Sequence, residues 1–173
     1  VVCLDPGLAF GTGSHPTTRL CLEDIQRCPP KDLIVADLGC GSGLLGLAAL
    51  GLGAKKVFAA DTDSLAIRST IHNSQLNDIN SSALQVSHGS VEVLMTMLDG
   101  KKVDLLLCNI LAPVIRELAP EFDQLISSHG NGVFSGLLKN QALGLIEVFK
   151  ALGWTTISST EKDRWVMLRV EKS

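Results

Sequence analysis

Seven residues, Asp37-Leu38-Gly39-Cys40-Gly41-Ser42-Gly43, carry the pattern best suited to chemistry, and they follow directly on the apolar run Leu33-Ile34-Val35-Ala36. The pattern predicts a buried strand entering a glycine-rich turn, then an apolar helix from Leu44 to about Leu52. Glycine lacks Cβ and tolerates positive φ, so such a turn lets a ligand lie against bare backbone. The helix start behind it is expected to offer unpaired N–H groups to an anionic or carboxylate end of that ligand. A nucleotide-like cofactor is the natural occupant, and the spacing narrows its kind. A dinucleotide fingerprint needs its third glycine three residues after the second, where this chain has Leu44. A phosphate-cradling loop needs a closing Gly-Lys-Ser/Thr, which is absent.

Val57-Phe58-Ala59-Ala60 reads as a second strand ending at Asp61. A carboxylate at that point can accept both ribose hydroxyls of a bound nucleoside. Together with Asp61, the D-x-G-x-G-x-G arrangement resembles the class I S-adenosylmethionine (SAM) dependent methyltransferases. That resemblance implies a Rossmann-like α/β fold with SAM as cofactor and S-adenosylhomocysteine as product.

The elements that must position these residues alternate as short apolar runs and helix-length segments, the signature of a mostly parallel sheet with helices on both faces. A helix is expected from about Asp63 to Leu76, with Leu65, Ile67, Ile71 and Leu76 facing the core. A third strand spans Leu84 to Ser87, a helix Val91 to Leu98, and a fourth strand Val103 to Cys108. Leu111 to Ser127 reads as helix interrupted at Pro113 and Pro120. A fifth strand over Gly132 to Leu137 and a helix over Gln141 to Leu152 follow. Trp154 to Ser159 and Trp165 to Glu171 close the chain as a hairpin around Thr160 to Asp163. Seven strands ending in an antiparallel hairpin fit the methyltransferase architecture rather than the all-parallel dehydrogenase one.

Two further segments bear on function. Leu4 to Thr18 (LDPGLAFGTGSHPTT) is a loop of little side-chain bulk feeding a helix that begins near Pro16, a residue suited to a first helical turn. Thr17 and Thr18 would set hydroxyls at that helix start. Capping alone explains Ser14, but the segment is longer than capping requires, and residues 5–18 are expected to cover the methionine end of the cofactor. Cys108-Asn109-Ile110-Leu111-Ala112-Pro113 falls at the carboxyl end of strand four, where open α/β sheets bind ligands near the switch in strand order. Asn109 is therefore expected beside the methyl group to be transferred. No aromatic residue follows it to stack a flipped base, which counts against adenine or cytosine as acceptor.

Taken together, the opening loop, Asp37 to Gly43, Asp61-Thr62-Asp63 and Asn109-Ile110-Leu111-Ala112 resemble the PrmA family, lysine methyltransferases of ribosomal protein L11, across the whole chain. The resemblance implies cofactor contacts at Thr18, Gly39, Asp61 and Asn109, with Gly41 in the same turn, and a ribosomal large-subunit protein as substrate. Members carry an amino-terminal substrate-recognition domain to which nothing in this chain corresponds, so residues 1–173 are expected to form the catalytic domain alone. The implied reaction is displacement by an amine nitrogen at the SAM methyl. Asn109 would accept a hydrogen bond from the amine through its side-chain carbonyl and aim the lone pair. No general base is assigned. His15 is expected to be structural or exposed, Asp37 to organise the glycine turn, and Cys40 and Cys108 to be buried small hydrophobes rather than nucleophiles. Other readings are a methyltransferase of another protein (such as a metabolic flavoprotein) or of a small molecule, and a SAM-binding module without activity.

Composition bounds these readings. The 173 residues fit one domain with a real core, at 46% hydrophobic content. A net charge of -3 argues against a nonspecific hold on nucleic-acid phosphates, and no direct nucleic-acid binding is expected. Five cysteines without a C-x-x-C pair argue against disulfides and a metal site, and fit a reducing, cytoplasmic setting. The longest uncharged stretch around the turn, Leu38 to Ala54, contains six glycines and is too short to span a bilayer.

Overall fold

The computed structural model describes residues 1–173 except Pro6, Leu8 and Ala9. Seven strands form one sheet in the order β3-β2-β1-β4-β5-β7-β6. They are β1 (Ile34–Leu38), β2 (Lys56–Asp61), β3 (Leu84–His88), β4 (Val103–Asn109), β5 (Ile126–Leu138), β6 (Trp154–Lys162) and β7 (Trp165–Lys172). Pairings across β3-β2-β1-β4-β5 are parallel, and β7 runs antiparallel to both β5 and β6. The strand order reverses between β1 and β4. There Leu38 is the register partner of Cys108 on one side and of Ala60 on the other, so the residues after three strands emerge side by side.

The central strands are apolar on both faces, as a doubly covered parallel sheet requires. Val35, Val57, Leu105, Leu107 and Val133 face one layer, with α1 (Pro16–Arg27), α2 (Leu44–Gly51) and α3 (Ser64–Leu76) over it. Ala36, Phe58, Leu106, Cys108 and Phe134 face the other, beneath α4 (Val91–Leu98), α5 (Ala112–Leu118), α6 (Phe122–Leu125) and α7 (Lys139–Ala151). Phe122, Phe134, Phe149 and Trp154 run through this second layer, successive ring centroids 5.4, 4.7 and 5.9 Å apart.

Three sequence expectations are corrected. The helix expected over Leu111–Ser127 breaks into α5, a 3-10 turn over Ala119–Glu121 and the single turn α6. Pro113 falls in the first turn of α5, where it is tolerated, whereas Pro120 lacks the N–H that would continue the helix. Strand β5 starts at Ile126, paired to Val103. The ladder then shifts register and resumes at Asn131 opposite Leu105, so the extra residues bulge, with His129 at φ 62. Finally, α3 does not bury Leu65, Ile71 and Leu76, which are 37, 42 and 48% exposed. Only Ile67 of that expected set packs partly against the core. The buried face carries Ala66, Ser69, Thr70 and Asn73 instead.

Candidate active site

The glycine turn connects β1 to α2 at the switch in strand order. Gly39, Gly41 and Gly43 sit at φ 75, 54 and 83, conformations that cost L-residues with a side chain. Space is equally restrictive: a Cβ on Gly39 would lie 2.3 Å from Ile110 Cγ2, and one on Gly41 would lie 2.7 Å from the Phe10 carbonyl oxygen. The N–H groups of this turn are spent inside the protein. Gly39 and Cys40 donate to the Ala60 carbonyl, Ser42 to that of Phe10, and Gly43 to that of Cys40. Leu44 donates to Ser42 Oγ at 3.3 Å and Gly46 to Asp37 Oδ2 at 3.1 Å. In the first turn of α2 the Leu44, Gly46 and Leu47 N–H groups are thus bonded within the protein, and the expectation of unpaired N–H groups there is corrected at those three positions. The left-handed turn uses its own five N–H groups, so residues 39–43 present bare Cα atoms and carbonyls rather than backbone donors.

Asp61 ends β2. Its Oδ2 accepts from Gly41 N–H at 3.0 Å and its Oδ1 from Asp63 N–H at 2.9 Å, which aims the carboxylate and leaves each oxygen a further lone pair. Asp37 is buried in the floor of the turn. Desolvation raises its carboxyl to about 7 and the Gly46 N–H works against that rise, while Asp61 adds to it. Burial likewise pushes the Cys40 and Cys108 thiols well up and the Cys21 thiol up to about 12, so all three are inert at neutral pH.

Thr18 and Asn109, separated by 91 positions, meet: Asn109 Nδ2 donates to Thr18 Oγ1 at 3.2 Å. Thr18 is held by the start of α1, whose Thr17 carbonyl accepts from the buried Ser135 hydroxyl at 2.8 Å. His15 is the N-cap of that helix, with Nδ1 2.8 Å from Thr17 Oγ1 and its ring packed on Trp165. Its part is structural, as expected. The opening loop lies across the glycine turn, Ser42 Oγ donating to the Gly11 carbonyl at 2.6 Å.

Two depressions meet here. A small one lies under Phe10 and Gly11, between Thr18, Asp37 and Asn109. A larger cleft of about 340 Å³ runs from Asp61 and Ser90 past Gly39 and Gly41 to Asn109, with Phe10, Leu111 and Val114 on its rim. Among the described residues neither lining contains Lys or Arg, while Asp37 and Asp61 do contribute. Such a cleft favours a cation and disfavours a pyrophosphate. Among the described residues no group of three His, Cys, Asp or Glu side chains is placed to hold a metal ion, and no helix is long and apolar enough to cross a membrane.

All five residues marked by the sequence, Thr18, Gly39, Gly41, Asp61 and Asn109, line these two depressions. Sequence reasoning missed Ser42, which holds the loop, and Thr70 and Asn73, which hold the turn from behind. The only signal of Thr70 and Asn73 was their three-residue spacing on a helix whose core face was read as Leu65, Ile67, Ile71 and Leu76.

The sheet order, the antiparallel β7 and a cleft at the switch point define the fold of the SAM-dependent methyltransferases. A crystal structure of ribosomal protein L11 methylase from Lactobacillus delbrueckii subsp. bulgaricus matches with a TM-score of 0.86 at 36% identity, covering 99% of this chain and 86% of that one. Residues 1–173 match the model of the family Ribosomal protein L11 methyltransferase (PrmA), and the chain belongs to that family. It is 59% identical over 172 residues to the Ribosomal protein L11 methyltransferase of Prochlorococcus marinus (strain MIT 9313) and 56% identical to that of Parasynechococcus marenigrum (strain WH8102). Each alignment covers 99% of this chain, which spans 57% and 60% of those relatives' lengths.

Proposed function

We propose that the chain catalyses SAM-dependent methylation of amino nitrogens, lysine included, on a ribosomal large-subunit protein, ribosomal protein L11 by family membership, in the cytoplasm. The observation that carries this reading is the Asn109–Thr18 pair standing at the end of a cleft that opens, at its other end, on Asp61.

The cleft residues fit the cofactor. Asp61 has lone pairs left for two ribose hydroxyls, the bare Cα atoms of Gly39 and Gly41 allow close approach, and the Asp61 carboxylate gives a negative field suited to a sulfonium. Bound there, SAM supplies an electrophilic methyl group, which an amine nitrogen takes with loss of one proton. The chain's own work is alignment, and holding two reactants in an attack geometry can supply much of a barrier reduction. Because Asn109 Nδ2 is engaged by Thr18, its Oδ1 is the end that accepts from the amine. A lysine must first become neutral, at a cost of about 4–5 kcal/mol at pH 7. Desolvation beside a cation lowers that cost. Phe10, Leu111 and Val114 offer an apolar wall to the lysine's methylene stem, and residues 10–18 act as the cover; Pro6, Leu8 and Ala9 of the expected 5–18 cover lie outside the described residues.

Transfer of labelled methyl from SAM to undermethylated large ribosomal subunits and to free ribosomal protein tests the reading. Label is expected on one small ribosomal protein and absent with Asp61→Ala. Asn109→Ala is expected to abolish transfer while sparing fold and most SAM affinity. Label on another class of molecule would replace the acceptor, and SAM binding without transfer to any of these would favour a recognition element outside residues 1–173.

A further inference from the structure

Helix α3 turns a polar stripe toward the glycine turn. Thr70, Asn73 and Asn77 lie on it at the three- and four-residue spacing that keeps helix side chains in line. Asn73 is fully buried and uses both ends of its carboxamide: Oδ1 accepts from Asp5 N–H at 2.9 Å, and Nδ2 donates to the Ser42 carbonyl at 2.8 Å. One turn on, Asn77 does the same for a single residue, accepting from Cys3 N–H at 2.8 Å and donating to its carbonyl at 2.7 Å. One turn back, the Thr70 hydroxyl donates to the Gly41 carbonyl at 3.1 Å.

A buried amide is costly unless its arms are bonded, and an apolar side chain would fill a helix-to-turn contact at less cost. What the amide provides is a connection. Ser42 carries it onward, its N–H donating to the Phe10 carbonyl and its hydroxyl to that of Gly11. Asn73 therefore ties together two places where the described part of the opening loop meets the body: its departure from segment 3–5 and its crossing of the glycine turn.

We propose that Asn73 is a positioning residue for cofactor binding, holding the glycine turn and the opening loop in one register without touching the reacting atoms. The proposal rests on the reading of this turn as the SAM seat. Calorimetric titration of the chain with SAM and with S-adenosylhomocysteine tests it, in wild type, Asn73→Ala and Asn77→Ala, with Leu94→Ala as a control buried on the other face of the sheet. Asn73→Ala is expected to raise the dissociation constant about tenfold at unchanged stoichiometry, the scale of losing a pair of neutral hydrogen bonds. Asn77→Ala should raise it about threefold, since only the loop's departure is loosened. Leu94→Ala should lower the melting temperature and leave the constant alone. A merely structural Asn73 would behave like Leu94, with fewer competent sites of wild-type affinity, and that result would overturn the proposal. If Asn73→Ala fails to fold, Asn77→Ala decides, because its half-buried side chain caps the end of α3, and wild-type affinity there overturns the proposal. A wild-type chain that binds neither ligand would sink the cofactor seat itself, and the proposal with it.

Discussion

On the floor of the cleft, backbone donors of the glycine turn are bonded to Ala60, Asp61, Phe10 and Cys40, and two side chains of α3, Thr70 and Asn73, brace the turn from behind. On the rim, Phe10 and Leu111 are each 70% exposed and Val114 is 39% exposed, and Leu111 precedes α5 without any side-chain cap. The floor is stiff, polar and complete in itself. The rim is an apolar surface facing solvent, of the kind that marks an interaction site. A ligand of constant chemistry is served by a rigid seat, whereas an acceptor that brings its own apolar surface completes the wall only on arrival. Affinity for the cofactor and affinity for the acceptor are then separable properties of one cleft.

The hardest blow to that separation is Gly39→Ala. It places a methyl group on a residue at φ 75 and against Ile110. Strain of about 1–3 kcal/mol is expected, and calorimetry should show SAM affinity reduced by up to about a hundredfold.

Asp37 sharpens the comparison through pH. Its folded-state carboxyl is raised to about 7 from an ordinary 3.8, so between these values the folded state holds more proton than the unfolded one. Stability therefore falls as pH rises from about 4 to 7 and levels off above, by on the order of 4 kcal/mol. Asp37→Asn keeps an acceptor for the Gly46 N–H and should abolish that slope in urea unfolding, while leaving the rim untouched.

The smallest effect belongs to the rim. Leu111→Ala removes exposed apolar surface that only the acceptor would cover. The KM for the ribosomal protein should rise about three- to tenfold, in line with roughly 1 kcal/mol of partial burial. The dissociation constant for SAM should stay at its wild-type value, and a parallel loss of both would break the distinction between floor and rim.

Local pattern sufficed for much of the architecture. Alternating apolar runs placed every strand and helix to within a few residues except around Pro120 and the bulge before Asn131, where a helix end and a register shift depend on what Val103 pairs with. Asp37, Gly39, Gly41 and Asp61 were legible because strand-end and turn chemistry is written within a few neighbouring residues. Asn109 and Thr18 were legible as single positions by family resemblance, but their contact across 91 positions was not.

The amino-acid sequence by itself determined the class of sheet and the place of the glycine turn, which rest on periodicity and spacing along the chain, and it carried the family through the resemblance of its motifs. Only the tertiary structure decided that the turn consumes its own N–H groups, and that α3 offers Thr70 and Asn73 where apolar residues were expected. Only it decided that His15 caps a helix rather than facing the cleft. Helical periodicity shows which residues share a face but not what that face meets. Here Asn73 meets two backbone groups, the Asp5 N–H and the Ser42 carbonyl, 68 and 31 positions away, which the two ends of its carboxamide satisfy at once.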